Sequence, residues 1–153
     1  MECYVKTPDG RFHASLGMAR PVTVTEEPPG GLALTADLQA RLSNQAIQIE
    51  GGITPEKHTV AVHFDEHPEI GLGNDLHLVR LENDTEIERV SSCMDWMNVD
   101  GLREPAPAAF VGGAQEMSVG SIAYFSVDLK PGGYAWISEA PAERGLLEEI
   151  EVE

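Results

Sequence analysis

Ile122-Ala123-Tyr124-Phe125-Ser126-Val127-Asp128-Leu129-Lys130-Pro131-Gly132-Gly133-Tyr134-Ala135-Trp136-Ile137-Ser138 is the stretch whose reading decides the fold. Ile122, Tyr124, Ser126 and Asp128 alternate with Ala123, Phe125, Val127 and Leu129, the two-residue period of an extended strand with two unlike faces. A second strand candidate, 134–138, follows. Working outward, short strand candidates recur at 32–38, 46–50, 58–65, 76–81 and 146–152, and in the third of these Val60, Val62 and Phe64 share one face. This spacing predicts an all-β protein, a Greek-key antiparallel β-sandwich, with a core of Val60, Val62, Phe64, Leu78, Phe125, Val127, Tyr134 and Trp136. One segment reads as a short helix: after a capping pair, Asn83 and Glu86, the residues Ile87, Val90, Met94 and Met97 recur at steps of three and four.

The chain of 153 residues is long enough to bury roughly two thirds of its unfolded surface, and 42% hydrophobic residues supply one core. Its first part has its own pattern. Residues 1–6 and 21–25 are strand-like and flank Thr7-Pro8-Asp9-Gly10, so residues 1–25 predict a β-hairpin extension with a long loop. Glu26-Glu27-Pro28-Pro29-Gly30-Gly31 reads as a linker, because two prolines remove backbone donors and two glycines remove side-chain restraint. The main domain is then 32–153. With 10 Lys and Arg against 26 Asp and Glu, the formal charge of -16 repels phosphate backbones and anionic head groups. Nucleic acid and membrane are therefore not expected partners, whereas a basic protein is compatible. Residues 1–6 carry no basic or apolar region of a signal peptide.

Leu129-Lys130-Pro131-Gly132-Gly133-Tyr134 resembles the approach to the last hairpin of cupredoxins, the plastocyanin and azurin family. In that family a copper-ligand cysteine stands four residues after the tyrosine; here the position is Ser138, and residues 139–147 hold neither the histidine nor the methionine of the family's loop. Cys3, His13 and Met18 do occur in the family's order, and Gly17-Met18 followed by Val22-Thr23-Val24 resembles its ending. The resemblance thus implies that residues 1–25 are the end of an upstream cupredoxin unit and 32–153 a complete unit without its copper ligands. It implies further that Met1 is an internal start of a longer, exported tandem protein. Asn74-Asp75-Leu76-His77-Leu78-Val79 resembles the strand bearing the family's first histidine, which makes His77 a remnant ligand.

A blue-copper site needs a thiolate, two imidazoles and a weak axial thioether. Cys3, His13 and Met18 supply an incomplete type 1 set, and His77 alone makes no site. The expected protein is therefore a non-enzymatic module with a degenerate copper site and no cofactor of its own, serving as scaffold or interaction domain. The alternative is electron transfer by Cys3, His13 and Met18, completed by a histidine from another chain or from upstream sequence. The His-x-His pairs of multi-copper enzymes are absent. His58, His63 and His67, with Asp65 and Glu66 between, invite a metal reading, but His58 and His63 differ by an odd number and point to opposite faces of one strand. A solvated strand end and loop is the expectation there. Met94 and Met97 are expected to pack the helix. The pairing of Cys3 with Cys93 stays open from sequence. An isolated hairpin exposing Tyr4, Phe12, Leu16, Met18 and Val22 predicts a homo-oligomer formed through it.

Overall fold

The structure is a computed structural model that describes residues 9–17, 19, 21, 34–67, 69, 74–82, 84–95, 98, 100, 105–139 and 146–153. The chain divides into two compact units, Met1–Ala33 and Leu34–Glu153. In the first unit, His13–Leu16 forms a 3-10 turn, begun where the Ser15 N–H and hydroxyl both donate to the Phe12 carbonyl, at 3.0 and 2.6 Å. The expected strands of the hairpin, apart from Pro21, and the linker 26–31 lie outside the described residues.

The second unit is built from β1 (Leu38–Leu42), β2 (Ile47–Glu50), β3 (Lys57–Phe64), β4 (Leu76–Arg80), α1 (Ile87–Met94), β5 (Ala109–Ala114), β6 (Ile122–Asp128), β7 (Gly132–Ile137) and β8 (Leu147–Val152). The strands form two four-stranded sheets, in the orders β2-β1-β3-β6 and β5-β4-β7-β8, which with one helix give the expected β-sandwich. Every pairing is antiparallel except β1 with β3, which run parallel in register Leu38 to Val60.

The alternation in β3 and β6 does what the sequence predicts. Val60, Val62 and Phe64 are buried between the sheets, as are Val127 and Leu129, while Phe125 is partly buried against the same core. The β7 strand does not alternate: Tyr134, Ala135, Trp136 and Ile137 are all buried. Both of its faces are covered, because Tyr134 and Trp136 join the inter-sheet core while Ile137 joins a second cluster with Val79, Val90 and Met94. That second cluster places α1, whose Val90 and Met94 form the apolar stripe laid on the outer face of β4 and β7.

Before β7 the chain turns sharply. The Tyr134 hydroxyl accepts the Lys130 N–H at 3.0 Å and donates to the Lys130 carbonyl at 3.1 Å, and Gly132 takes a φ of 133°, which a side chain would strain. Where the edge strands of the two sheets meet, Gly112 of β5 lets the backbone approach β6, since a Cβ there would stand 2.4 Å from the Phe125 ring.

Three expectations need correction. The first strand is not 32–38: β1 starts at Leu38, because Leu38, Ala40 and Leu42 face the core whereas Leu34 is 58% exposed. β5 was not expected at all; its Ala-Phe-Val-Gly-Gly-Ala sequence has no alternation, and it is held by pairing with β4 across a bulge between Leu78 and Val79. The helix has Glu86 itself at the N-cap with no side-chain capping bond, and Asn83 lies outside the described residues, as does Met97.

Candidate functional site

Antiparallel pairing of β4 with β7, with His77 opposite Ile137, brings the start of one strand beside the end of the other. Asp75, just before β4, therefore meets Ser138 and Glu139, just after β7, although 63 and 64 residues separate them. The Asp75 side chain is 1% exposed. Its Oδ1 accepts the Ser138 hydroxyl and the Glu139 N–H, each at 2.8 Å, and its Oδ2 accepts His77 Nε2–H at 2.7 Å. Three donors thus satisfy a carboxylate that burial alone would destabilise. Residues 75 and 77 are two apart, so the ring and the carboxylate fall on the same side of the strand. The His77 ring stands edge-on to Phe110 of β5, with centroids 5.9 Å apart.

Glu139 completes the group. One ligand-type atom from each of Asp75, His77 and Glu139 lies within 4.8 Å of the other two. Burial raises the Glu139 pKa above its usual value, the nearby Asp75 charge raises it further, and His77 partly offsets both. The donors are carboxylate oxygen and imidazole nitrogen. Blue copper needs a thiolate and two imidazoles, so this group does not fit a type 1 centre. The Ser138 hydroxyl, at the position where the resemblance places the family's cysteine, is directed onto Asp75.

Of the residues singled out from sequence, only His77 is in this group. Cys3 and Met18 lie outside the described residues, and for His13 only the backbone, in the 3-10 turn, is described. Among the described residues His58, His63 and His67 do not converge. His63 Nε2 bonds the Gln39 side-chain oxygen at 2.7 Å, and exposed His67 has its carbonyl bonded by Asn44. His58 corrects the solvated reading, because it is buried on the core face of β3. Its Nδ1 bonds the Asp37 carboxylate and its Nε2 donates to the Thr54 carbonyl at 2.9 Å, so both nitrogens face acceptors. Burial opposes the charged ring, but the Thr54 carbonyl and Asp37 outweigh it and raise the His58 pKa. The Thr59 N–H, assisted by His58 against partial desolvation, lowers that of Asp37.

Sequence reasoning missed Asp75 and Glu139 as site residues. The Asp-x-His spacing was a usable signal for the first; nothing local pointed to the second.

No protein-family model matches the chain, and no curated protein does. Among solved structures, the chain is similar to the sodium dithionite-reduced auracyanin of the photosynthetic bacterium Roseiflexus castenholzii, at 12% identity and a TM-score of 0.51, over 75% of this chain and 94% of that one. A second similar structure is auracyanin B, at 18% identity and a TM-score of 0.49, over 80% of this chain and 93% of that one. Auracyanins are cupredoxins, and at these identities the likeness speaks for the fold alone. The two-sheet order, the helix on the outer face and this likeness together make Leu34–Glu153 a cupredoxin-like β-sandwich.

Proposed function

We propose that this protein is a non-enzymatic cupredoxin-like module whose type 1 copper chemistry has lapsed, and which serves as a scaffold or interaction domain within a longer exported protein. The observation that carries this reading is Ser138. Where the resemblance places a thiolate, a serine hydroxyl is bound to the buried Asp75 carboxylate, and the donors around it are oxygen and imidazole. Such a set cannot supply the covalent thiolate character of a blue-copper centre. The interaction role is supported by apolar side chains left at the surface, with Phe12 and Leu16 exposed in the first unit and Phe110, Ile122 and Tyr124 in the second.

The test is titration of the full chain with copper(II) followed by visible absorbance. No intense thiolate-to-copper band is expected. An intense blue band overturns the proposal, and its disappearance in Cys3→Ser would assign it to Cys3 and to electron transfer instead.

A further inference from the structure

We infer that Asp75, His77 and Glu139 form a binding site for a borderline divalent cation of the zinc(II) class. The donor set comes first. One imidazole and two carboxylates suit zinc(II), which accepts nitrogen and oxygen ligands at about 2.0–2.2 Å, and offer nothing to a metal that demands sulfur. Ligand atoms around a tetrahedral ion of that size stand about 3.4 Å apart. The three here already lie within 4.8 Å of one another. His77 Nε2–H is bonded to Asp75 Oδ2 at 2.7 Å, so binding releases that proton to solvent and parts the two atoms to the ligand spacing, while Glu139, a long side chain beyond the end of β7, closes in.

The surroundings are those of a prepared ligand set. Asp75 is held from behind, its Oδ1 bound by the Ser138 hydroxyl and the Glu139 N–H, which turns Oδ2 toward His77. Ligating carboxylates are commonly oriented in this way by outer hydrogen bonds. The His77 ring is braced by Phe110. Among the described residues no hydrogen bond reaches the Glu139 carboxylate, which faces another carboxylate across the group, and a dication would remove that like-charge opposition. Asp75 and Ser138 are buried while His77 and Glu139 are half-buried, so an ion has a route in and a solvent-facing coordination position.

A second acidic, histidine-bearing feature among the described residues is a cleft lined by residues that include Asn44, Asp65, Glu66, His67 and Glu69, and its Asp65 and Glu66 carboxylates are already engaged. Asp65 pairs with Arg41 at 2.6 Å, and Asn44 ties Glu66, the His67 carbonyl and the Glu69 N–H together.

The experiment is calorimetric titration of the full chain with zinc chloride near neutral pH. One saturable equivalent is expected, weakened at least about tenfold by Glu139→Gln and by His77→Gln and unchanged by Cys3→Ser. Far-UV circular dichroism checks folding. If His77→Gln does not fold, Glu139→Gln, a half-buried position, decides alone. Absence of saturable zinc binding overturns the inference, as does binding that survives Glu139→Gln or is lost in Cys3→Ser. Zinc(II) gives no visible band, so this outcome is independent of the copper titration.

Discussion

Among the described residues two histidine–aspartate pairs have opposite burial. In the His58–Asp37 pair the ring is 1% exposed and the carboxylate 52%; in the His77–Asp75 pair the carboxylate is 1% exposed and the ring 24%. Whichever member is buried must have all its hydrogen-bonding capacity met inside the protein. Buried His58 spends both nitrogens on Asp37 and Thr54, so the pair is a closed clasp between the entry to β1 and the turn before β3. Buried Asp75 spends its oxygens on Ser138, Glu139 and His77, but the ring that closes the set stands at the surface beside a second carboxylate. The first arrangement is complete in itself. The second ends in a partly exposed ring beside the Glu139 carboxylate, which is why the proposed cation site is there and not at His58.

The largest effect separating the pairs is expected on removal of the buried acid. Asp75→Ala removes the buried acceptor shared by the Ser138 hydroxyl, the Glu139 N–H and the His77 ring, and should cost about 3 kcal/mol, or roughly 10 °C in midpoint. Urea unfolding measures it. A cost as small as that of a surface ion pair would mean that the carboxylate is not the anchor of this end of the sandwich.

Removing the exposed acid should do less. Asp37→Ala takes away one acceptor each from His58 and the Thr59 N–H, at a cost of about 1 kcal/mol after allowance for solvent around Asp37. This cost depends on pH. Because the folded His58 pKa lies above its ordinary 6.5, its contribution is full below that value and fades as pH rises through the folded pKa. Because the folded Asp37 pKa lies below its ordinary 3.8, its contribution is full above that value and fades as pH falls through the folded pKa. The stability difference between wild type and Asp37→Ala should therefore be larger at about pH 5.5 than at about pH 9. Equal differences at the two would show that the ring carries no charge in the clasp.

The smallest effect sharpens the comparison at the outer ring. Phe110→Ala removes the edge-on partner of His77 and should cost about 0.5 kcal/mol, while shifting the His77 ring proton resonances and leaving those of His58 in place. Unmoved His77 resonances would show that Phe110 does not brace the ring.

Much of this was legible because it is periodic. β6 alternates over its whole length and β3 does so except at buried Ala61, and the apolar steps at Ile87, Val90 and Met94 mark α1, so local sequence carries most of the burial pattern. β5 was not legible, since Ala109–Ala114 lacks alternation and its place comes from β4, to which its backbone hydrogen bonds go. β1 was misplaced by several residues because Leu32, Leu34 and Leu38 look alike in sequence, and only packing distinguishes exposed Leu34 from buried Leu38.

By itself the sequence determined the sandwich class, its core residues from Val60 to Trp136, the place of the helix and the serine where the resemblance expects a thiolate. Those features depend on period, residue volume and a short motif around one turn, all local. The tertiary structure alone decided that β1 lies parallel to β3, that His58 is buried and that Asp75, His77 and Glu139 meet. The last depends on the register of β4 against β7, in which Leu78 and Trp136 stand side by side on the core face and the backbones of strands distant in sequence pair. A carboxylate becomes a buried anchor or a solvated charge according to what such pairing brings beside it, and no reading of its immediate neighbours can tell the two apart.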